Sequence, residues 1–495
     1  MKVTFVTIGA ESLGIEYLSA SLKKAGHKVE LVFDPGLFDD KYYFNIPFLG
    51  NIFNYRKKLI KKVLNSKPDI IAFSVFTDTY NWAIDVAKEL KSKTDVPIMM
   101  GGIHITSVPD KVIKNPYIDI LALAECEEAI VELCDKMEKN EDITNIENFW
   151  VKKDGKWHKN EIRSANMDLD TIEFPDKELF ADDVRIKDCY MILTSRGCPF
   201  RCTYCSNAFL LDIYKNKGSY LRRRGVDNVI EELKQAKKKF NYKVVSFMDD
   251  IFTSDVKWLN EFLERYKEEI DIPFRAISHS LYFNTDIAKK LKKAGCYRVE
   301  LGLQSTDEEY RKKILKRYET NDQVIKAFKA CEEAGLSLMV DHIFGLPQEK
   351  EEHLLSAAKF YSDYNIDRIA CFWLSYFPKT EIIEIAKNMG EIDDSRVEGI
   401  NNAKEKMYHD GGSVINKKRE KMIKDYDLLF KLIPVLPKST IKKIIKNKWY
   451  KKFHHTPFFI PMGLEVVMAI KNKDYETLNY IKHYSHHFKK RIFQK

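Results

Sequence analysis

Apolar residues in the first third of the chain come in short unbroken runs, separated by stretches with helical spacing. Runs at 3–8, 29–33, 69–75, 96–100 and 119–123 predict buried strands. Helices are predicted over 15–25, stopped by Gly26, over 82–90 and from Glu127 onward. Continuous apolar strands alternating with helices imply a parallel sheet covered on both faces, with the ligand beyond the carboxyl ends of the strands. The rhythm lapses over 145–185, where residues 150–157 read as a small hairpin turning at Asp154-Gly155 and the rest as a linker. It returns with strands expected at 190–194, 244–248, 274–278, 298–303, 337–344 and 368–374, and helices between them such as 226–240 and 321–334. Six such units are too few for a closed eight-unit barrel and predict a partial (β/α)6 barrel.

The expected fold class is thus α/β: a Rossmann-like doubly wound sheet over 1–144, a linker over 145–185, the partial barrel over 186–395 and a helical basic region over 396–495. In the last region Ile441, Ile444, Ile445 and Trp449 share one helical face ringed by Lys442, Lys443, Lys446 and Lys448. A proline-broken apolar segment follows at 458–463.

Hydrophobic residues are 44% and charged residues 31% of the 495, which excludes a disordered or fibrous chain. No run reaches the ~18 apolar residues of a membrane span. Glu11 and Glu16 interrupt any signal-peptide core, so the expected compartment is the cytoplasm. Nine cysteines are too few for a disulfide scaffold; where they cluster, metal binding or catalysis is implied. The net charge of +9 is uneven: residues 401–495 carry 22 Lys and Arg against 8 Asp and Glu, and the first 400 carry 60 against 65. A basic tail on a mildly acidic body points to something anionic.

The sharpest chemical signal is Ser195-Arg196-Gly197-Cys198-Pro199-Phe200-Arg201-Cys202-Thr203-Tyr204-Cys205, just past the first predicted barrel strand. Three thiolates at spacings of four and three suit a compact soft-metal site. Iron–sulfur clusters and structural zinc both normally take four ligands. No fourth cysteine is near, so a four-iron cluster here would keep one iron open; the alternatives are a zinc knuckle or three buried cysteines.

This motif resembles that of the radical S-adenosylmethionine (SAM) superfamily, over roughly residues 186–390. The resemblance implies that Cys198, Cys202 and Cys205 hold a 4Fe-4S cluster whose open iron binds SAM, and that SAM is cleaved reductively to a radical that takes hydrogen from substrate. It implies cofactor-binding roles for Phe200 and Tyr204 in the loop. By the same resemblance Asp249, ending the second barrel strand, is expected at the SAM amino group, Ser278, ending the third, at the SAM carboxylate, and Glu300 or Gln304 on the fourth at the ribose hydroxyls. The loop Gly345-Leu346-Pro347-Gln348-Glu349 resembles the adenine side.

Gly9-Ala10-Glu11-Ser12-Leu13-Gly14 is not the G-x-G-x-x-G of dinucleotide folds. The first domain instead resembles the cobalamin-binding domain that precedes many radical SAM enzymes. The residues carried over are Ser12, Leu13 and Gly14 after the first strand, Thr77 after the third, Gly101, Gly102 and His104 after the fourth, and Glu125 after the fifth. Ala124 stands where that family usually has glycine. Glycines at 101 and 102 are expected to let a large planar ligand approach. The Asp-x-His-x-x-Gly motif is absent; Asp34-Pro35-Gly36-Leu37-Phe38 has no histidine, so cobalamin would be held without one below cobalt.

The expectation is a cobalamin-dependent radical SAM enzyme that methylates an unactivated carbon. The alternatives are radical rearrangement or oxidative cyclisation, as in the anaerobic tetrapyrrole cyclases the chain also resembles, and a non-catalytic cobalamin or redox-sensing module. Expected partners are a small-molecule or lipid-like substrate and an electron donor of the flavodoxin or ferredoxin type. The basic tail reads as a helical cap or as a peripheral membrane contact; no nucleic-acid module accompanies it.

Overall fold

A computed structural model describes residues 1–39, 46–406, 412–414, 416–457 and 459–493. The first sheet contains β1 (Lys2–Ile8), β2 (Lys28–Asp34), β3 (Ile70–Ser74), β4 (Ile98–Gly101) and β5 (Ile120–Ala122), in the order β2-β1-β3-β4-β5 and all parallel. The inner strands β1, β3, β4 and β5 are buried on both faces, as unbroken apolar runs require. One face is covered by α1 (Leu13–Lys24) and α2 (Glu127–Glu138), whose buried stripes join Phe5, Ala72, Met99 and Ala122 in one core. On the other face, the helical segments Arg56–Asn65 and Tyr80–Lys91 bury Leu59 and Val86 against Val6, Phe73 and Met100.

The 145–185 segment is not a free linker. Its hairpin, β6 (Phe149–Lys153) and β7 (Lys156–Lys159), extends the same sheet by antiparallel pairing of β6 with β5. Asp154 at φ 51 and Gly155 at φ 73 form the left-handed turn that the Asp-Gly pair predicts. Further on, Phe180 is fully buried, and Lys177 donates to Glu11 at 2.6 Å and lies 2.8 Å from Glu16. A buried cation between two buried carboxylates ties the segment to the first domain.

The second sheet is built from β8 (Tyr190–Ile192), β11 (Val245–Phe247), β12 (Phe274–Ser278), β13 (Cys296–Gln304), β14 (Ser337–Phe344) and β15 (Arg368–Trp373). It runs β15-β14-β13-β12-β11-β8, all parallel, and its two edge strands do not pair. This is the expected partial barrel. A two-residue ribbon, β9 (Ser195–Arg196) with β10 (Arg222–Arg223), rises from its carboxyl edge and starts the cysteine loop.

Beyond the barrel strands lie α3 (Glu351–Asp363), a barrel helix, and then α4 (Lys417–Leu432), α5 (Lys438–Lys446), α6 (Phe459–Lys471) and α7 (Tyr475–Phe493). The apolar face of α5, Ile441, Ile444 and Ile445, is buried in the barrel core, while Trp449 is exposed. Pro461 does not break the apolar segment: it sits in the first turn of α6, where a missing N–H costs nothing; Phe458 lies outside the described residues. Asp474, between α6 and α7, pairs with Arg298 of β13 at 3.0 Å and with Arg368 of β15. The Tyr484 hydroxyl accepts from the Phe38 backbone N–H, and His487 Nε2 donates to Asp183 O at 2.7 Å. The tail is therefore a cap bolted to both domains.

Replacing Asp474 with alanine removes the carboxylate shared by two buried arginines. We expect Asp474→Ala to cost about 3 kcal/mol in urea denaturation, with loss of soluble protein as the cruder readout.

Candidate active site

A cavity of about 380 Å³ opens where the carboxyl edges of the two sheets meet. It runs down the first sheet between α1 and α2, over Phe5, Ala72, Met99 and Ala122, and ends against Gly197, Met248 and Asp250 of the barrel. Its deep part is apolar and its mouth is charged, a shape for a large ligand with an apolar appendage.

The two walls are joined by charge. Arg196, two residues before Cys198, donates to Glu125 at 2.8 Å and to Glu127 at 2.6 Å, and its guanidinium lies 5.3 Å over the Tyr17 ring. Arg222 on the paired strand donates to the same Glu125 at 3.0 Å. Burial opposes ionisation of Glu125, but the two guanidinium groups outweigh it and hold the carboxyl below its ordinary range. Glu125 thus lines the cavity and closes the domain interface together. Sequence reasoning misses Arg222, whose only signal is its place in an Arg222-Arg223-Arg224 run.

The cysteine loop turns at Gly197, where φ is 90 and a Cβ would sit 2.4 Å from Tyr220 O. Thr203 anchors it by donating its hydroxyl to Ile314 O at 2.7 Å. Phe200 stacks on His279 with centroids 4.3 Å apart. Tyr204 accepts from Arg317 Nη1 at 3.3 Å, and the same nitrogen lies 3.7 Å from Cys202 Sγ. Arg317 is buried and held by Glu319 at 2.7 Å. A buried cation against a thiol fits a site that must carry the negative charge of thiolates; nothing in the sequence near the cysteines announces it.

A single tetrahedral ion at about 2.3 Å from its sulfurs would bring them within about 4 Å of each other. Among the described residues, the one group of potential ligands that closes within 4.8 Å is His27, Asp135 and Glu138, not the three cysteines. Cys198 and Cys205 are half-buried and Cys202 is buried.

The other expected residues divide. Gly14, Gly101, Gly102 and Glu125 line the cavity. Ser12 caps α1, accepting from Ile15 N, and Leu13 begins that helix. Thr77 and His104 do not line it: His104 is buried beneath, with Nδ1 3.2 Å from Thr77 Oγ1 and its ring 4.4 Å from Tyr80, and burial pushes its pKa down to about 4. Gly102 also has a cause in the backbone. Its φ is 102 and a Cβ would lie 2.5 Å from Val75 O, so packing of β4 on β3 demands glycine there.

In the barrel, Asp249 is fully buried and accepts from Thr194 Oγ1 at 2.7 Å and from the Ser195 hydroxyl. It braces the ribbon from within, and its neighbour Asp250, accepting from Asn207 at 3.0 Å, is the carboxylate on the cavity wall. Ser278 is buried, its hydroxyl 2.5 Å from that of Thr253. Glu300 pairs with Arg275 at 2.6 Å inside the barrel. Gln304 is buried at φ 69 at the end of β13.

Comparison with known proteins agrees with this geometry. The sequence matches the Radical SAM superfamily over residues 192–361 and the B12 binding domain over residues 6–134. It is 30% identical over 380 residues to an uncharacterized methyltransferase of Pyrococcus horikoshii, spanning 76% of this chain and 78% of that protein. It is 24% identical to the anaerobic magnesium-protoporphyrin IX monomethyl ester cyclase of Rubrivivax gelatinosus, over 76% of this chain and 68% of that one. Its fold is that of the cobalamin-dependent S-adenosylmethionine radical enzyme OxsB, solved with aqua-cobalamin and S-adenosylmethionine bound: TM-score 0.67 at 14% identity, over 99% of this chain and 79% of that chain.

Strain and burial around the site have measurable consequences. Ala124 is held at φ 58 on the cavity rim, a left-handed conformation that costs an alanine about 1 kcal/mol or more. Ala124→Gly should therefore stabilise the fold by about 1 kcal/mol in urea denaturation, since the strain relieved exceeds the added chain entropy. Glu349 accepts from Gly345 N at 2.7 Å, and burial pushes its carboxyl from 4.5 up to about 8. The folded chain keeps a proton there that the unfolded chain releases, so this group's contribution falls as pH rises from about 4.5 to about 8 and is flat outside that window. Glu349→Gln keeps the acceptor, and its urea midpoint should decline less than that of the parent protein across the window.

With cysteines on the barrel edge and a cavity shared with a B12 domain, the chain belongs to the cobalamin-binding radical SAM family, and it is a radical SAM enzyme whose cofactors are a 4Fe-4S cluster, S-adenosylmethionine and cobalamin.

Proposed function

We propose that the enzyme transfers a methyl group from SAM to an unactivated carbon of its substrate. When bound, cobalamin supplies the methyl carrier, and the cluster with SAM supplies the radical that opens the substrate carbon. The observation that carries this reading is the single cavity bounded by the B12-domain loops on one side and by Gly197, Met248 and Asp250 on the other. Reactants held in one cavity can be oriented toward each other at short range.

The residues divide that work. Cys198, Cys202 and Cys205 ligate the iron, and Arg317 balances the charge beside Cys202. Asp250 faces the cavity as the acceptor for the SAM amino group, and Asp249 positions the ribbon behind it. Ser278 and Gln304, ending β12 and β13, are the groups for the rest of SAM, with Glu300 behind them held by Arg275. No histidine is among the described residues lining the cavity, and His104 is neutral and turned into the core. Gly14, Gly101, Gly102 and Glu125 would hold cobalamin here, without a protein imidazole. A flavodoxin or ferredoxin type donor supplies the electron, and the cytoplasm is the expected compartment. Among the described residues, no helix is long and apolar enough to cross a membrane.

The test is anaerobic turnover with methyl-labelled SAM. Label is expected on a product carbon, and bound cob(II)alamin should show no nitrogen splitting from a protein imidazole by electron paramagnetic resonance. Alanine at any of the three cysteines should abolish SAM cleavage. Gly14→Trp is the variant that probes cobalamin: a Cβ at Gly14 meets only Ser12 Oγ at 4.0 Å, so the ring fills cavity and not core. It should lose cobalamin uptake and keep the cluster. An altered product without label would favour cyclisation, the activity named for the Rubrivivax relative.

A further inference from the structure

The capping helices carry two features that capping does not use. The first is an outward apolar stripe on α6: Ile460, Val467 and Ile470 share one face, with Val467 50% and Ile470 64% exposed. The second is the charge of the tail as a whole. Among the described side chains of residues 438–490, every exposed one with a fixed charge is a lysine. Glu465 and Asp474 are turned inward, to Arg368 at 2.9 Å and to Arg298 at 3.0 Å. Lys442 and Lys451 are matched by Asp363 and Glu351, whereas Lys446, Lys448, Lys452, Lys473, Lys489 and Lys490 have no carboxylate partner among the described residues. An apolar helix face on a tail whose described exposed charges are all lysine complements an anionic lipid surface. A second copy of the chain would bring the same lysines against each other.

The opposite face of α6 lines a cavity of about 600 Å³, larger than the one between the sheets. Met462 and Val466 on the α6 side and Met191, Met339 and Phe372, from the barrel strands β8, β14 and β15, form its apolar walls, and the paired charges of Arg368 with Glu465 and Asp474 and of Lys431 with Asp427 line the rest. It lies at the seam where β8 and β15 leave the barrel open. We propose that the α6 face docks on an anionic membrane surface, and that the cavity behind it receives the apolar chain of a lipid-like substrate. This names the substrate class of the proposed methyl transfer and rests on that reading for the reaction alone.

The test uses the full chain loaded with cluster and cobalamin. Sedimentation with phosphatidylcholine vesicles, with and without phosphatidylglycerol, should show binding only when the anionic lipid is present, weakening as salt rises. Val467→Glu with Ile470→Glu, and separately Lys471→Glu with Lys473→Glu at the end of α6, should each weaken binding at least about tenfold. A dansyl-labelled fatty acid should bind saturably, and Val466→Trp should abolish that while leaving sedimentation unchanged. Parent protein that stays in the supernatant at low salt, or variants that bind as the parent does, would overturn the docking surface. So would a dimer lost on Val467→Glu with Ile470→Glu. Absence of saturable fatty-acid binding would overturn the cavity assignment. SAM cleavage and cobalamin uptake, read in the same samples, report separately on the methyl-transfer reading.

Discussion

Arg196 and Arg222 sit side by side on β9 and β10 and converge on one carboxylate, Glu125, from the other domain. Desolvating three charges is costly, and the pair geometry offsets that cost only while both domains stay docked. The contact is placed where it matters most. Arg196 lies between the last residues of the first barrel strand and Cys198, and Glu125 lies on the rim of the shared cavity. The position of the cysteine loop and the position of the B12-domain rim are therefore one variable. A shift of either domain would change the cavity and the cluster loop together.

The need to hold that contact explains why several polar residues near the site are turned away from the cavity. Asp249 commits its carboxylate to Thr194 and Ser195, which keeps the ribbon aligned for Arg196. Arg317 reaches from the segment after β13 to Tyr204 and Cys202, so the cysteine loop is gripped from the barrel side as well. Thr77 and His104 pair with each other under the cavity floor. These groups set positions, while the cavity wall itself combines small and apolar residues with a few charged ends.

Strands are legible in the sequence because parallel strands buried on both faces leave unbroken apolar runs, and the cysteine motif is legible because its spacing is local. Long-range pairings are not. The hairpin after residue 148 can be seen as a hairpin, but its pairing with β5 has no local signature, so the segment reads as linker. Arg317 meets Tyr204 across 113 positions of chain, and no periodicity links the two. Gly102 is legible as a glycine that matters, but its backbone cause is not. Sequence alone cannot see that a Cβ there would strike Val75, which the fold shows. Asp249 and Asp250 pose the same difficulty. Adjacent residues at a strand end point to different sides, and which one faces the cavity depends on where the strand stops. β11 ends at Phe247, which sends Asp249 inward to the ribbon and leaves Asp250 on the wall.

The tail shows why charge composition alone cannot decide between a cap and a surface. Its 22 basic and 8 acidic residues describe a sum, and the fold sorts that sum by side. Asp474 and Glu465 go to the barrel arginines, and Ile441, Ile444 and Ile445 go to the core, so the inner side is a cap with its own ion pairs. Each carboxylate turned inward is one that no longer neutralises a lysine outside. Fastening the cap is thus what leaves the outer face basic.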